Sequence, residues 1–154
     1  MTQRTKLVGV RGLLAHSGQD LGTSEWKEMR YEDIERFAAA TGDRQWIHVD
    51  RERIAIESPY GVPVAHGYFT LSLIATLFFE IVDIDEIGSV VNYGTNRVRF
   101  PAPLRAGDHY RLSVKLAEVN EVRGGAEALM HASIDLKGQP KPACAAEILY
   151  RFLV

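Results

Sequence analysis

Residues 41–48 read Thr-Gly-Asp-Arg-Gln-Trp-Ile-His, which sets the carboxylate of Asp43 and the imidazole of His48 five positions apart. Asp and His are the usual side chains for moving protons near neutral pH. Farther along, Val64-Ala65-His66-Gly67 runs into a long apolar segment. If that segment is helical, its first N–H groups are free to hold a developing negative charge. An acid–base pair beside such a site has the parts needed to add water to an unsaturated thioester.

Those residues need elements to position them. Residues 31–41 read as a helix, because Tyr31, Ile34, Phe37, Ala38 and Thr41 fall on one face. Glu32 and Asp33 occupy its first turn, where the helix dipole favours acids, and Gly42 is placed as its left-handed stop. Asp50 is placed to cap a second short helix over residues 51–57. Pro59, Gly61 and Pro63 make an irregular connection. Residues 66–82 carry apolar side chains on almost every side, a pattern that predicts a helix buried all round and something wrapped about it. Upstream, residues 13–15 read as a short helix ended near Gly18, and residues 24–29 as a short strand.

After about residue 87 the chain reads as strands. Tyr110, Leu112, Val114 and Leu116 alternate with Arg111, Ser113 and Lys115. Ala128, Met130, Ala132, Ile134 and Leu136 form a second apolar face, and Ala146, Ile148, Tyr150 and Phe152 a third, with Cys144 in phase. Gly124-Gly125 and residues 137–140 are the turns between them. Consecutive strands on short turns predict an antiparallel sheet, and with the apolar helix an α+β fold. On residues 90–100 the even positions place Asn92, Gly94 and Asn96 with Val90, Val98 and Phe100. Two amides on an apolar face need partners. Either neighbouring loops supply them, or Asn92 and Asn96 border a ligand tunnel for which Gly94 makes room.

Composition narrows the function classes. The 154 residues carry a net charge of −2 and 46% apolar residues, which gives no electrostatic case for a nucleic-acid partner. An acidic ligand such as coenzyme A would need local cations, and Arg97, Arg99 and Arg105 are the densest group. A single cysteine, Cys144, allows neither an intrachain disulfide nor a cysteine-based metal site, and it fits the cytoplasm. The longest apolar run is interrupted by Thr70, Ser72, Thr76 and Glu80, so no membrane span is expected. A zinc site from Asp43, His48 and His66 lacks a close ligand pair at helical spacing, so no metal is expected.

These pieces resemble a known family. Phe37-Ala38-Ala39-Ala40-Thr41-Gly42-Asp43, Ile47-His48-Val49-Asp50, Ala65-His66-Gly67 and the stretch Val98-Arg99-Phe100-Pro101-Ala102-Pro103-Leu104-Arg105-Ala106-Gly107-Asp108 are similar to the MaoC-like hydratases. These include the (R)-specific enoyl-CoA hydratases and the NodN-like branch. The resemblance runs from about Gly22 to the C-terminus. It implies one hotdog domain over residues 1–154, a long central helix wrapped by a curved antiparallel sheet, with residues 1–21 packed on it. It also implies a homodimer and reversible hydration of trans-2-enoyl-CoA to (3R)-3-hydroxyacyl-CoA, with an acyl-CoA or acyl-carrier-protein thioester as partner and no cofactor besides that substrate. By position, Asp43 and His48 are the catalytic dyad and Gly67 offers its N–H to the thioester oxygen. Gln45, Asn92, Gly94, Asn96 and Arg97 are candidate substrate contacts. Many members have Asn-Pro where this chain has Gln45-Trp46, a small residue at the position of Ile54, and a serine at that of Ala75, for which Ser72 is a possible substitute. An acyl-CoA thioesterase and a non-catalytic acyl-thioester-binding subunit are the competing functions.

Overall fold

The computed structural model describes residues 3–154. The chain runs β1 (Thr5–Val8), α1 (Gly9–Ala15), β2 (Asp20–Thr23), β3 (Lys27–Glu28), α2 (Tyr31–Thr41), α3 (Trp46–Val49), α4 (Arg51–Glu57) and α5 (Gly67–Ile81). It continues through β4 (Val82–Asp85), β5 (Ser89–Arg99), β6 (His109–Val122), β7 (Gly125–Leu136) and β8 (Cys144–Leu153). The large sheet is antiparallel, in the order β2-β6-β7-β8-β5, with β3 also on β6. The predicted α+β layout, a long helix held in the curve of an antiparallel sheet, is present.

Strand alternation works as the sequence implies. Leu112, Val114, Leu116, Ala128, Met130, Ile134, Ile148, Tyr150 and Phe152 are all buried, and they close over Ile74, Leu77, Phe78 and Ile81 of α5. Phe78 meets Tyr150 edge to face at 5.4 Å between ring centroids, the geometry aromatic quadrupoles favour. The expectation that α5 is covered on every side needs correction. Tyr68 is 77% and Phe79 45% exposed, and Ser72 and Thr76 share the open stripe. Within one chain the sheet wraps only part of the helix circumference.

The N-terminal segment has a definite place. β1 pairs in parallel with β4, the strand that leaves α5. The Arg4 guanidinium donates to the carbonyls of Phe79 and Val82, the end of the helix where carbonyls lack intrahelical partners and a cation is favoured. The strand expected at residues 24–29 is shorter, Lys27–Glu28, while a second one forms at Asp20–Thr23.

β5 departs most from its pattern. Asn92 pairs with Tyr150 but Gly94 with Leu149, and Asn96 pairs with Glu147 but Arg99 with Ala145. Two bulges interrupt the strand, and each shifts which residues face inward. Asn92 lies opposite buried Tyr150, and Thr95 opposite buried Ile148, whereas Gly94 and Asn96 lie opposite residues of the outer row. The expectation that Asn92, Gly94 and Asn96 share one inner face is therefore wrong. A strict period of two cannot cross a bulge.

Phe78→Ala is expected to destabilise the fold by about 3–5 kcal/mol through the cavity left under the sheet. Urea unfolding checks this, and a loss under about 1 kcal/mol would mean that α5 is not the centre of the core.

Candidate active site

The proton-handling residues arrive on a short path between two helices. α2 ends at Gly42 with φ 81°, the left-handed stop the sequence predicts. The chain then turns through Asp43, whose Oδ1 accepts the Gln45 N–H at 3.3 Å. That leads into the one-turn helix α3, which carries His48. Tyr31 donates its O–H to the Val49 carbonyl and ties this turn back to α2. Asp50 caps α4 by accepting the Arg53 N–H at 3.0 Å. Ile54 is buried beneath.

A second segment, residues 63–67, crosses this turn. The Val64 N–H donates to the Ile47 carbonyl at 3.2 Å, and the Ala65 N–H to the Leu104 carbonyl at 2.8 Å. His48 is 6% exposed, and its Nδ1 lies 2.5 Å from the Val64 carbonyl oxygen. A carbonyl only accepts, so Nδ1 carries the proton and Nε2 keeps the lone pair. The imidazole is thus presented as a neutral base. Burial pushes its pKa below the ordinary 6.5; nearby His66 adds to this, and the Val64 bond and the Asp43 charge oppose it.

His66 is a residue for which the sequence supports only a loop-bonding role, and it does more. It is 2% exposed, its Nε2–H donates to the Asp43 carbonyl at 2.8 Å, and its ring stacks on that of His48 with centroids 3.7 Å apart. Its Nδ1 is buried without a partner among the described residues. Asp43, His48 and His66 bring possible ligand atoms within 4.8 Å of one another. The two rings are tilted by only 23°, so an ion in the plane of one lies well out of the plane of the other. The stack does not suit a single metal ion held by both imidazoles.

α5 begins at Gly67. Its first i−4 bond runs from the Thr70 N–H to the His66 carbonyl, so the Gly67, Tyr68 and Phe69 N–H groups have no intrahelical acceptor. A Cβ on Gly67 would come within 3.0 Å of the Phe100 ring. The need for glycine here comes at least from Phe100, a contact that sequence spacing could not reveal. His48, Gly67, Thr70, Phe100, Leu104 and Ala143 line a cavity of about 390 Å³. Thr70 was missed in the sequence, where its only signal is a hydroxyl one turn past Gly67. It is buried and donates to the His66 carbonyl.

Asp43 and Gln45 are both exposed and do not line this cavity, although Asp43 comes within 4.8 Å of the His48 and His66 rings. Asn92 lines a different cavity, of about 270 Å³, with Thr95, Tyr68, Leu71, Ser72 and Tyr150. Ser72 there donates to the Phe69 carbonyl, so it does not replace a hydroxyl beside His48. Arg105 is held by Asp108 at 3.0 Å, while Arg97 lies on the outer side of the sheet. Burial pushes the Cys144 thiol up to about 11, which leaves it a packing residue. Among the described residues no helix is long and apolar enough to cross a membrane.

Comparison with known proteins adds a family signal to this geometry. The profile described as MaoC like domain matches residues 14–135. The 3-hydroxyacyl-thioester dehydratase Z of Mycobacterium tuberculosis is 39% identical over 145 residues, 94% of this chain and 95% of that protein. Nodulation protein N of Rhizobium leguminosarum bv. viciae is 39% identical over 132 residues, 84% of this chain and 81% of that protein. Among solved structures, the unliganded R-hydratase PhaJ1 of Pseudomonas aeruginosa superposes with a TM-score of 0.72 at 20% identity, covering 89% of this chain and 81% of that one. At that identity the likeness speaks for the hotdog fold.

The lowered His48 pKa has a defined sign. Between it and 6.5 the unfolded chain binds more protons than the folded one, so stability rises with pH across this window and falls as pH drops through it. An NMR titration of the His48 ring is expected to give a midpoint below 6.5, and Asp43→Asn to lower it further. A midpoint at or above 6.5 would show that burial does not control this imidazole.

Proposed function

Because the chain belongs to the MaoC-like domain family, we propose that it is a hydro-lyase that interconverts trans-2-enoyl and (3R)-3-hydroxyacyl thioesters, with Asp43 and His48 as its proton-handling pair. The observation that carries the reading is the pairing of an exposed carboxylate with a buried imidazole whose free lone pair is Nε2, set beside the open N–H groups of α5. Groups within 4.8 Å of each other are bridged comfortably by one water.

In the hydration direction Asp43 orients that water, and His48 Nε2 takes its proton as the oxygen attacks C3. The electron pair of the C2–C3 bond moves onto the thioester oxygen, which the Gly67 N–H holds at the positive end of the helix dipole. The His48 imidazolium then returns the proton to C2, and the neutral base is restored. Dehydration runs the same steps backward. No cofactor beyond the thioester is required by this scheme. Thr70 fixes the His66 carbonyl, and His66 fixes the Asp43 loop, so the donors and the base keep one geometry. The 39% identity to a 3-hydroxyacyl-thioester dehydratase over nearly the whole of both chains supports the substrate class. The lone buried thiol suits a reducing cytoplasm.

The test is incubation with trans-2-enoyl-CoA, following both loss of the conjugated enoyl absorbance and release of free thiol. Absorbance loss without thiol is expected; thiol release would make the protein a thioesterase. Asp43→Asn and His48→Ala are each expected to slow hydration by on the order of 100- to 10,000-fold. Near wild-type rates in both variants would sink the mechanism.

The open stripe of α5 and the unpaired edge of β5 support a homodimer. Val91 on β5 and Tyr68 and Phe79 on α5 are apolar and exposed, and an uncovered edge beside an apolar helix stripe invites a second copy. Light scattering is expected to give twice 17.2 kDa for the wild type, and Val91→Lys to shift the mass toward the monomer. A wild-type mass of 17.2 kDa would refute the dimer.

A further inference from the structure

The outer face of the sheet carries a concavity that the mechanism leaves unused. Arg99, Ala145, Ser133 and Ser113 lie side by side across four strands, with Glu147, His131 and Lys115 in the next row. The short side chains at the centre leave a trough of about 650 Å³, a volume typical of small-molecule sites. Ser113, Ser133 and Ala145 line it together with Arg97, Arg99 and Lys115 and with Asp20, Glu147 and His131, and both serine hydroxyls donate to the carboxylate of Asp135.

Two observations mark this trough as built for an anion. The second bulge of β5 puts Arg97 at φ 47°, a backbone conformation that costs a non-glycine residue energy and that bulges use to re-aim a side chain. Among the described residues, Arg97, Arg99 and Lys115 form no ion pair, although eight ion pairs occur elsewhere. Arg99 donates only to its neighbouring carbonyl, that of Val98.

The trough also adjoins the candidate active site. Arg99 lines the trough and Phe100 the cavity beside His48; on the neighbouring strand Ala145 lines the trough, and Ala143, just before it, lines the cavity. The two spaces therefore meet residues one or two apart on the same two chain segments, a closeness that suits a flexible pantetheine arm running between them. Resting on the hydratase reading above, we propose that the trough holds the 3′-phosphorylated ADP end of coenzyme A. Arg97, Arg99 and Lys115 contact its phosphates, and the short central side chains lie under the adenine. The protein is then selective for coenzyme A thioesters over the same acyl group on a carrier protein.

The experiment compares trans-2-butenoyl-CoA with trans-2-butenoyl-pantetheine, which lacks the nucleotide. Arg97→Gly/Lys115→Ala removes two charges while glycine accepts the positive φ. The ratio of kcat/KM for the two thioesters is expected to fall about tenfold in this variant, mainly through KM, as suits the loss of charge-assisted phosphate contacts. By calorimetry, adenosine 3′,5′-bisphosphate is expected to bind the wild type and not the variant. An unchanged ratio or equal binding of the bisphosphate would overturn the proposal. If the wild type hydrates neither thioester the hydratase reading fails, and the calorimetric comparison still decides the trough.

Discussion

The hydrogen bond from His48 Nδ1 to the Val64 carbonyl is the constraint on which the candidate site hangs. It fixes which ring nitrogen carries a proton, and so which one faces outward as a base. It also joins the turn after α2 to the segment that starts α5. Those two pieces are distant in sequence and have no covalent reason to meet. The bonds from Val64 N–H to Ile47 and from Ala65 N–H to Leu104 repeat the join on the backbone. The ring stack of His48 on His66 then fills the space between the two segments. A buried polar crossing of this kind is costly unless each group is paired. Here, among the described residues, the one buried imidazole nitrogen without a partner, His66 Nδ1, lies within the same cluster.

The long helix serves this crossing in two ways. Its buried side anchors the N-terminus against the sheet through Ile74, Leu77 and Phe78, so the free N–H groups at Gly67 are held on a rigid element. Its far end is closed by Arg4, whose guanidinium meets the last carbonyls. The chain thereby keeps both ends of the helix chemically defined, one by satisfying it and the other by leaving it open beside a cavity. Phe100 completes the open end by packing where a Gly67 side chain would stand.

What the sequence revealed follows the range of each signal. The stop at Gly42, the cap at Asp50, the apolar segment of α5 and the alternation of β6, β7 and β8 depend on neighbours within a few residues. All of them are found where the pattern puts them. Asp43 and His48 were legible because a single turn holds them. The parallel pairing of β1 with β4, the burial of His66, the place of Thr70 and the contact of Phe100 with Gly67 all depend on chain segments far apart, and no periodicity encodes them. The open stripe on α5 was misjudged because an all-apolar helix does not say which neighbour covers each side. Asn92 keeps the inner place that alternation gives it, whereas Gly94 and Asn96 leave it, because bulges are invisible to a count of alternate positions.

Those bulges bear on how the lining of the fold can change over time. In a regular strand, inserting or deleting one residue turns every later side chain over and ruins the inner face. In β5 two bulges fall within eleven residues, and after each one the pairing with β8 resumes with the register moved by one residue. Moving a bulge by one position would exchange Thr95 for Asn96 at the inner surface and leave the ends of the strand in register. A lineage can thus alter the polarity of one wall of the interior without disturbing the strands on either side.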